Sequence, residues 1–242
     1  KGGRMMPEHS NGLSGCNLQN PESLNSAEYL YYLIAYHCSP VLESAKPAVT
    51  LTFCNERRRS LHDLWKANRD GIPCSQTFDY YELRSVPDRA TVLFYNPDAL
   101  QRILSEAAVR DFLTGSGYRE ELTVETALAE LTRRYQAECP HELGVFLGIP
   151  LPDVLGFIEF KGKKAVAAGY WKVYHDAGGG LALFARYQEA KRNFVDFITA
   201  GHSPAAYLRK SAVLSNREGG TNDSDGYFWR GPLLGEGSRP SV

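Results

Sequence analysis

Apolar residues recur along this chain with two alternating periods, one near 3.6 residues and one near 2, and the changes of period delimit its elements. Leu30, Leu33, Ile34, His37 and Cys38 share one helical face. Asn25 and Glu28 have the spacing of a capping box before that helix, and Pro40 is predicted to stop it. Val49, Leu51 and Phe53 alternate with Thr50, Thr52 and Cys54 as a strand, and Leu61, Leu64, Trp65 and Asn68 then form a helix ended by Gly71. Residues 78–84 and 90–95 read as two strands of an antiparallel hairpin turning through residues 85–89. Asn96-Pro97 is a helix start, because Asn caps well and Pro at the first helical position gives up a donor that has no partner there.

Leu100, Ile103 and Leu104, then Val109, Phe112 and Leu113, continue the helical stripe as far as Gly115 and Gly117. A Thr123-capped helix carries Val124, Leu128, Leu131 and Tyr135 on one face, and Pro140 bars its extension. Residues 152–160 form another helix with Gly162 as its left-handed cap, residues 166–174 read as one strand with small residues for close packing, and residues 181–200 form a long final helix. Strands interleaved with helices, one hairpin among them, predict an α+β (mixed α/β) single domain, with helices packed on a mixed sheet of about four strands. Its expected span is 23–211. Residues 1–22 and 212–242, poor in core-forming side chains, are expected to be a disordered N-terminal segment and a flexible C-terminal tail.

Composition narrows the function classes. A formal charge of -1 over 242 residues supplies no field for general nucleic-acid binding or for an acidic membrane surface. No apolar run approaches the roughly 20 residues of a membrane span, and no secretory apolar core is visible at the start. Five cysteines, an odd number without a Cys-x-x-Cys pair, fit reduced thiols in a cytoplasmic protein better than a disulfide framework.

Four ordered segments carry a family resemblance. Ala35-Tyr36-His37-Cys38-Ser39-Pro40-Val41-Leu42 with Lys46-Pro47-Ala48 comes first, followed by Pro140-His141-Glu142-Leu143-Gly144-Val145-Phe146-Leu147-Gly148. Asp153-Val154 with Gly156-Phe157-Ile158, and then Gly169-Tyr170-Trp171-Lys172-Val173-Tyr174, complete the set. Together they resemble a bacterial domain family of unknown function, common in anaerobes, over about residues 27–200. The resemblance implies no reaction, cofactor or catalytic residue. It implies that His37, Cys38, Lys46, His141, Glu142 and Lys172 belong to the family pattern, whereas Ile149 and Gly178-Gly179-Gly180 depart from it.

The chemistry-bearing residues gather at the ends of predicted elements. His141 and Glu142 are adjacent, so their side chains diverge and do not chelate one ion together. Cys139 and His141 lie two apart, a spacing that supplies half of a metal site. The expected other half is His37 or Cys38 at the end of the first helix, or Cys54 at the end of the first strand, with zinc or iron suited to thiolate and imidazole ligands. An enzyme with Cys38 or Cys139 as nucleophile, His141 as base and Glu142 nearby is the alternative, in which Gly144 and Gly148 supply backbone donors. Lys46, Gly144, Gly148 and Lys172 are the candidates for holding a cofactor, and an aromatic pocket for flavin or haem is a weaker variant of the same idea. A third alternative is a noncatalytic module whose exposed aromatic or arginine surface, including Arg57-Arg58-Arg59, binds another protein.

Overall fold

A computed structural model of the chain describes residues 26–55 and 60–214. The Asn25 cap, Arg57-Arg58-Arg59 and nearly all of both expected tails lie outside those residues. The elements run α1 (Ser26–Leu42), β1 (Ala48–Cys54), α2 (Leu61–Asn68), β2 (Asp79–Val86), β3 (Arg89–Tyr95), α3 (Pro97–Ser105), α4 (Ala107–Gly115) and α5 (Val124–Tyr135). They continue with α6 (Leu143–Phe146), α7 (Leu151–Phe160), β4 (Ala167–Ala168), β5 (Lys172–Val173), α8 (Ala177–Thr199) and α9 (Pro204–Leu214).

The fold is α+β, with helices packed around a sheet that is antiparallel throughout and has three strands in the order β1-β3-β2. Among the described residues the sheet is thus antiparallel and three-stranded where a mixed sheet of about four strands was expected, since its neighbours pair through a hairpin and an antiparallel return instead of a parallel crossover. β2 and β3 form the expected hairpin around Pro87 and Asp88, a tighter turn than predicted. β3 is central and buried on both faces, so its side chains serve two separate cores. Ala90, Val92 and Phe94, with Phe53 of β1, meet Leu30, Ile34, Cys38, Trp65, Phe194 and Tyr207 from α1, α2, α8 and α9. Leu93 and Tyr95, with Leu83 of β2, meet Leu100, Leu131, Leu143 and Phe146 from the intervening helices.

Pro40 does not stop α1, which runs two residues further. A proline there leaves the Tyr36 carbonyl without its helical donor, and the Ser39 hydroxyl donates to that carbonyl at 2.9 Å. The chain leaves the helix through Ser44 in the left-handed region (φ 54°), where the Pro40 carbonyl accepts from Ala45 and Lys46 amides. The Asn96 cap of α3 and the Thr123 capping box of α5 form as predicted.

The predicted strand 166–174 is a two-residue hairpin instead. Gly169 turns the chain so close to Phe184 that an added Cβ would lie 2.4 Å from the ring, and its amide donates across the turn to the Trp171 carbonyl. Helix α8 begins four residues earlier than predicted, because Asp176 caps the Gly179 amide at 3.0 Å and Gly180 closes against Val173. Helix α9 follows no signal used above; it buries Tyr207 and Leu208 against α1 and α8.

One buried carboxylate fixes α7 relative to this hairpin. Asp153 accepts from the Trp171 indole at 2.8 Å and from the Tyr174 and His175 amides at 2.7 and 3.0 Å. Gly148, at φ 73°, lies against the Pro47 ring, which ties the loop before α7 to the loop after α1.

Candidate functional site

The face of the sheet toward α5 and α7 opens at one end into a cleft of about 1550 Å³. Its floor is a row set by strand register: Thr52 of β1 opposite Thr91 of β3, which is opposite Arg84 of β2. The two threonine hydroxyls are 3.2 Å apart. One wall is the end of α5 and the loop after it, with Arg133, Arg134, Tyr135, Glu138, Cys139, His141 and Glu142. The Gln136 amide holds that loop to β2 by donating to the Leu83 carbonyl at 2.9 Å. The other wall is α7 and its exit, with Phe157, Ile158, Lys161 and Lys163.

Six basic side chains (Arg84, Arg89, Arg133, Arg134, Lys161, Lys163) face three carboxylates (Asp88, Glu138, Glu142) in this cleft. Glu142 is buried and ion-paired to Arg134, whose guanidinium also lies 5.7 Å above the Tyr118 ring. Burial and the Glu142 charge push the Tyr118 hydroxyl up, and that hydroxyl has no hydrogen-bond partner. Arg133 is paired with Glu130. Arg84, Arg89, Lys161 and Lys163 have no carboxylate within ion-pair distance among the described residues, so the cleft carries uncompensated positive charge.

His141 and Glu142 diverge: the histidine is exposed with its ring edge toward Phe157 at 5.6 Å, and the glutamate points inward. Cys139 sits at the rim. Desolvation and the nearby Glu142 and Glu138 raise its pKa, against the Tyr135 hydroxyl that lowers it. Reactive thiols are depressed by cationic neighbours, and Cys139 is shifted the other way. Gly144 and Gly148 do not present free donors, because their amides bond the His141 and Val145 carbonyls. Lys172 donates to the Gly162 carbonyl at 2.6 Å.

The other proposed half-site lies elsewhere. Cys38 is fully buried in the core on the opposite face of the sheet, and the cleft around Cys139 includes no residue of α1. His37 meets the Tyr36 ring edge-on at 5.2 Å. The structure thus brings Cys139, His141 and Glu142 together and leaves His37 and Cys38 behind the sheet. Among the described residues no group of three His, Cys, Asp or Glu side chains is placed to hold a metal ion. Burial pushes the Cys38 thiol up, with Lys46 nearby acting in the opposite direction.

Lys46 belongs with a different set. Its ammonium lies 5.4 Å from the Tyr187 ring centre, and burial together with the charge of Lys191 lowers its pKa to about 8. A model of proteins of unknown function, DUF3793, matches residues 34–208. The chain belongs to this family. No curated protein and no solved structure matches it. In this DUF3793 protein Cys139, His141 and Glu142 stand at the expected turn, and the arginines of the cleft are additional to the residues expected from the sequence. Arg133-Arg134 stand close before His141, a visible signal, whereas the approach of Arg84 and Arg89 depends on strand pairing. No helix among the described residues is long and apolar enough to cross a membrane.

Proposed function

We propose that this DUF3793 protein is a noncatalytic binding module whose cleft takes an acidic, partly apolar segment of a partner protein. The carrying observation is the uncompensated charge of Arg84, Arg89, Lys161 and Lys163 beside the apolar Phe157, Ile158 and Val86, in a chain whose overall charge is -1. A local basic surface on a near-neutral protein selects and orients acidic partners instead of attracting polyanions at large. The cleft is wide and open, which suits an extended segment better than an enclosed small molecule. Catalysis through Cys139 finds little support here, since its thiol is shifted away from the thiolate.

The test is fluorescence anisotropy with a short labelled peptide of alternating Glu and Leu, a Lys-Leu control and a single-stranded oligonucleotide. Expected is binding of the Glu-Leu peptide alone, weakening with salt and roughly tenfold weaker for Arg84→Glu/Lys161→Glu. Binding of the oligonucleotide in preference would assign the cleft to nucleic acid. Equal binding of both peptides, or none, would end the reading.

A further inference from the structure

Away from the cleft, two lysines share a patch of tyrosine rings and have no carboxylate partner. Lys191 of α8 lies 5.1 Å from the Tyr36 ring centre and 5.2 Å from that of Tyr170. Lys46, from the loop after α1, lies over Tyr187, and the Tyr170 and Tyr187 rings meet edge to face at 5.2 Å. The edge-to-face contact therefore links the ring under one ammonium, the buried Tyr187, to a ring under the other, the part-exposed Tyr170. Among the described residues no Asp or Glu oxygen lies within 4 Å of either one. Glu43, on the segment leading to Lys46, is taken by the Tyr207 hydroxyl and the Asn193 amide. Tyr36, Lys46, Tyr170 and Lys191 all remain partly exposed, so the patch is open to solutes.

Two like charges held near each other over aromatic faces repel, and aromatic quadrupoles compensate only part of that. An oxyanion bridging the ammonium groups removes the repulsion. We propose that Lys46 and Lys191, over Tyr36, Tyr170 and Tyr187, form a binding site for a small oxyanion group, phosphoryl or carboxylate, distinct from the basic cleft. The lowered pKa of both lysines, caused chiefly by burial, accords with the absence of a built-in counter-charge. Both amines are point-charge donors on flexible four-carbon stems, the kind of donor that serves at phosphate sites.

The test is competitive amine acetylation of the full chain, read per lysine by mass spectrometry, with inorganic phosphate or succinate added at constant ionic strength. Expected is selective protection of Lys46 and Lys191 by one or both anions, with Lys161, Lys163 and Lys172 unaffected. In Lys46→Met, half-protection of Lys191 should need at least tenfold more anion. Protection by phosphate alone assigns a phosphoryl ligand, and by succinate alone a carboxylate. Uniform protection of all lysines, no protection, or undiminished protection of Lys191 in Lys46→Met would overturn the proposal.

Discussion

Replacing Lys46 by Met should stabilise the protein at neutral pH. The ammonium of Lys46 is desolvated and faces Lys191, while the Cys38 side and the Tyr187 ring compensate only in part. A fall from 10.5 to about 8 corresponds to roughly 3 kcal/mol of penalty on the protonated folded form. Removing the cation also removes its contact with Tyr187, about 0.5–1 kcal/mol, so the expected net gain at pH 7 is about 2 kcal/mol. For a domain of this size that is about 4–8 °C in Tm.

The pH dependence is the sharper part. The unfolded chain keeps the Lys46 proton to about 10.5 and the folded chain releases it above about 8. Between those values the unfolded state binds more protons, so the wild type gains stability from this group as pH rises. The advantage of Lys46→Met should therefore be full below pH 8 and vanish by about pH 10.5. Urea unfolding of both proteins from pH 6.5 to 10.5 measures it, and groups common to both cancel in the difference. A variant less stable at pH 7, or a difference that does not change with pH, would refute the account of Lys46 as a largely desolvated cation without a counter-charge.

Other consequences follow from the packing. Asp153→Ala leaves the Trp171 indole and two amides without their acceptor and should cost about 3–5 kcal/mol, seen as a lower urea midpoint. Glu142→Ala strands a half-buried Arg134 and should cost about 3 kcal/mol, partly recovered in Glu142→Ala/Arg134→Met by a double-mutant cycle in urea. Gly156→Ala would put a methyl 2.7 Å from Tyr174 and should lower stability by about 1–3 kcal/mol in the same assay. Under native conditions a thiol reagent should modify exposed Cys139 and Cys74 slowly, and faster as pH rises above 9, since both thiols are pushed up and only thiolates react. Cys38 should react only on unfolding, and rapid labelling of Cys139 at pH 7 would contradict its surroundings.

What the sequence made legible was local. Asn96-Pro97 and Thr123 mark helix starts because the capping chemistry lies within three residues, and both caps form. The β2–β3 hairpin was visible from its short turn. Residues 166–174 were misread because an alternating, small-residue segment looks the same whether it runs straight or folds at Gly169, and the choice is made by Phe184, fifteen residues later. The start of α8 was misplaced because three glycines disfavour a helix on propensity, and the Asp176 cap and the Val173 contact override that. The site was half legible. Adjacency correctly separated His141 from Glu142, but nothing local says on which face of the sheet a residue ends up. Cys38 and Cys139 both stand at helix ends in the sequence, and β3, buried on both sides, stands between them.

The shared motifs acquire a physical meaning from this arrangement. Pro47 of the first segment meets Gly148 of the second, Asp153 of the third receives Trp171 and Tyr174 of the last, and Gly156 closes on Tyr174. These contacts assemble a scaffold. Arg84, Arg89, Arg133, Lys161 and Lys163, which charge the cleft, lie outside every one of those motifs. The two sets are nevertheless joined, because the helix anchored by Asp153 is also the helix that carries Phe157 and Ile158 into the cleft and ends at Lys161. A scaffold lesion such as Asp153→Ala should therefore loosen one wall of the cleft and weaken the proposed peptide binding along with stability. Lys161→Glu, exposed and unpaired, changes the charge of the wall without moving it. Binding lost with stability intact in the second case, and both lost together in the first, is the pattern that separates a functional surface from the framework presenting it.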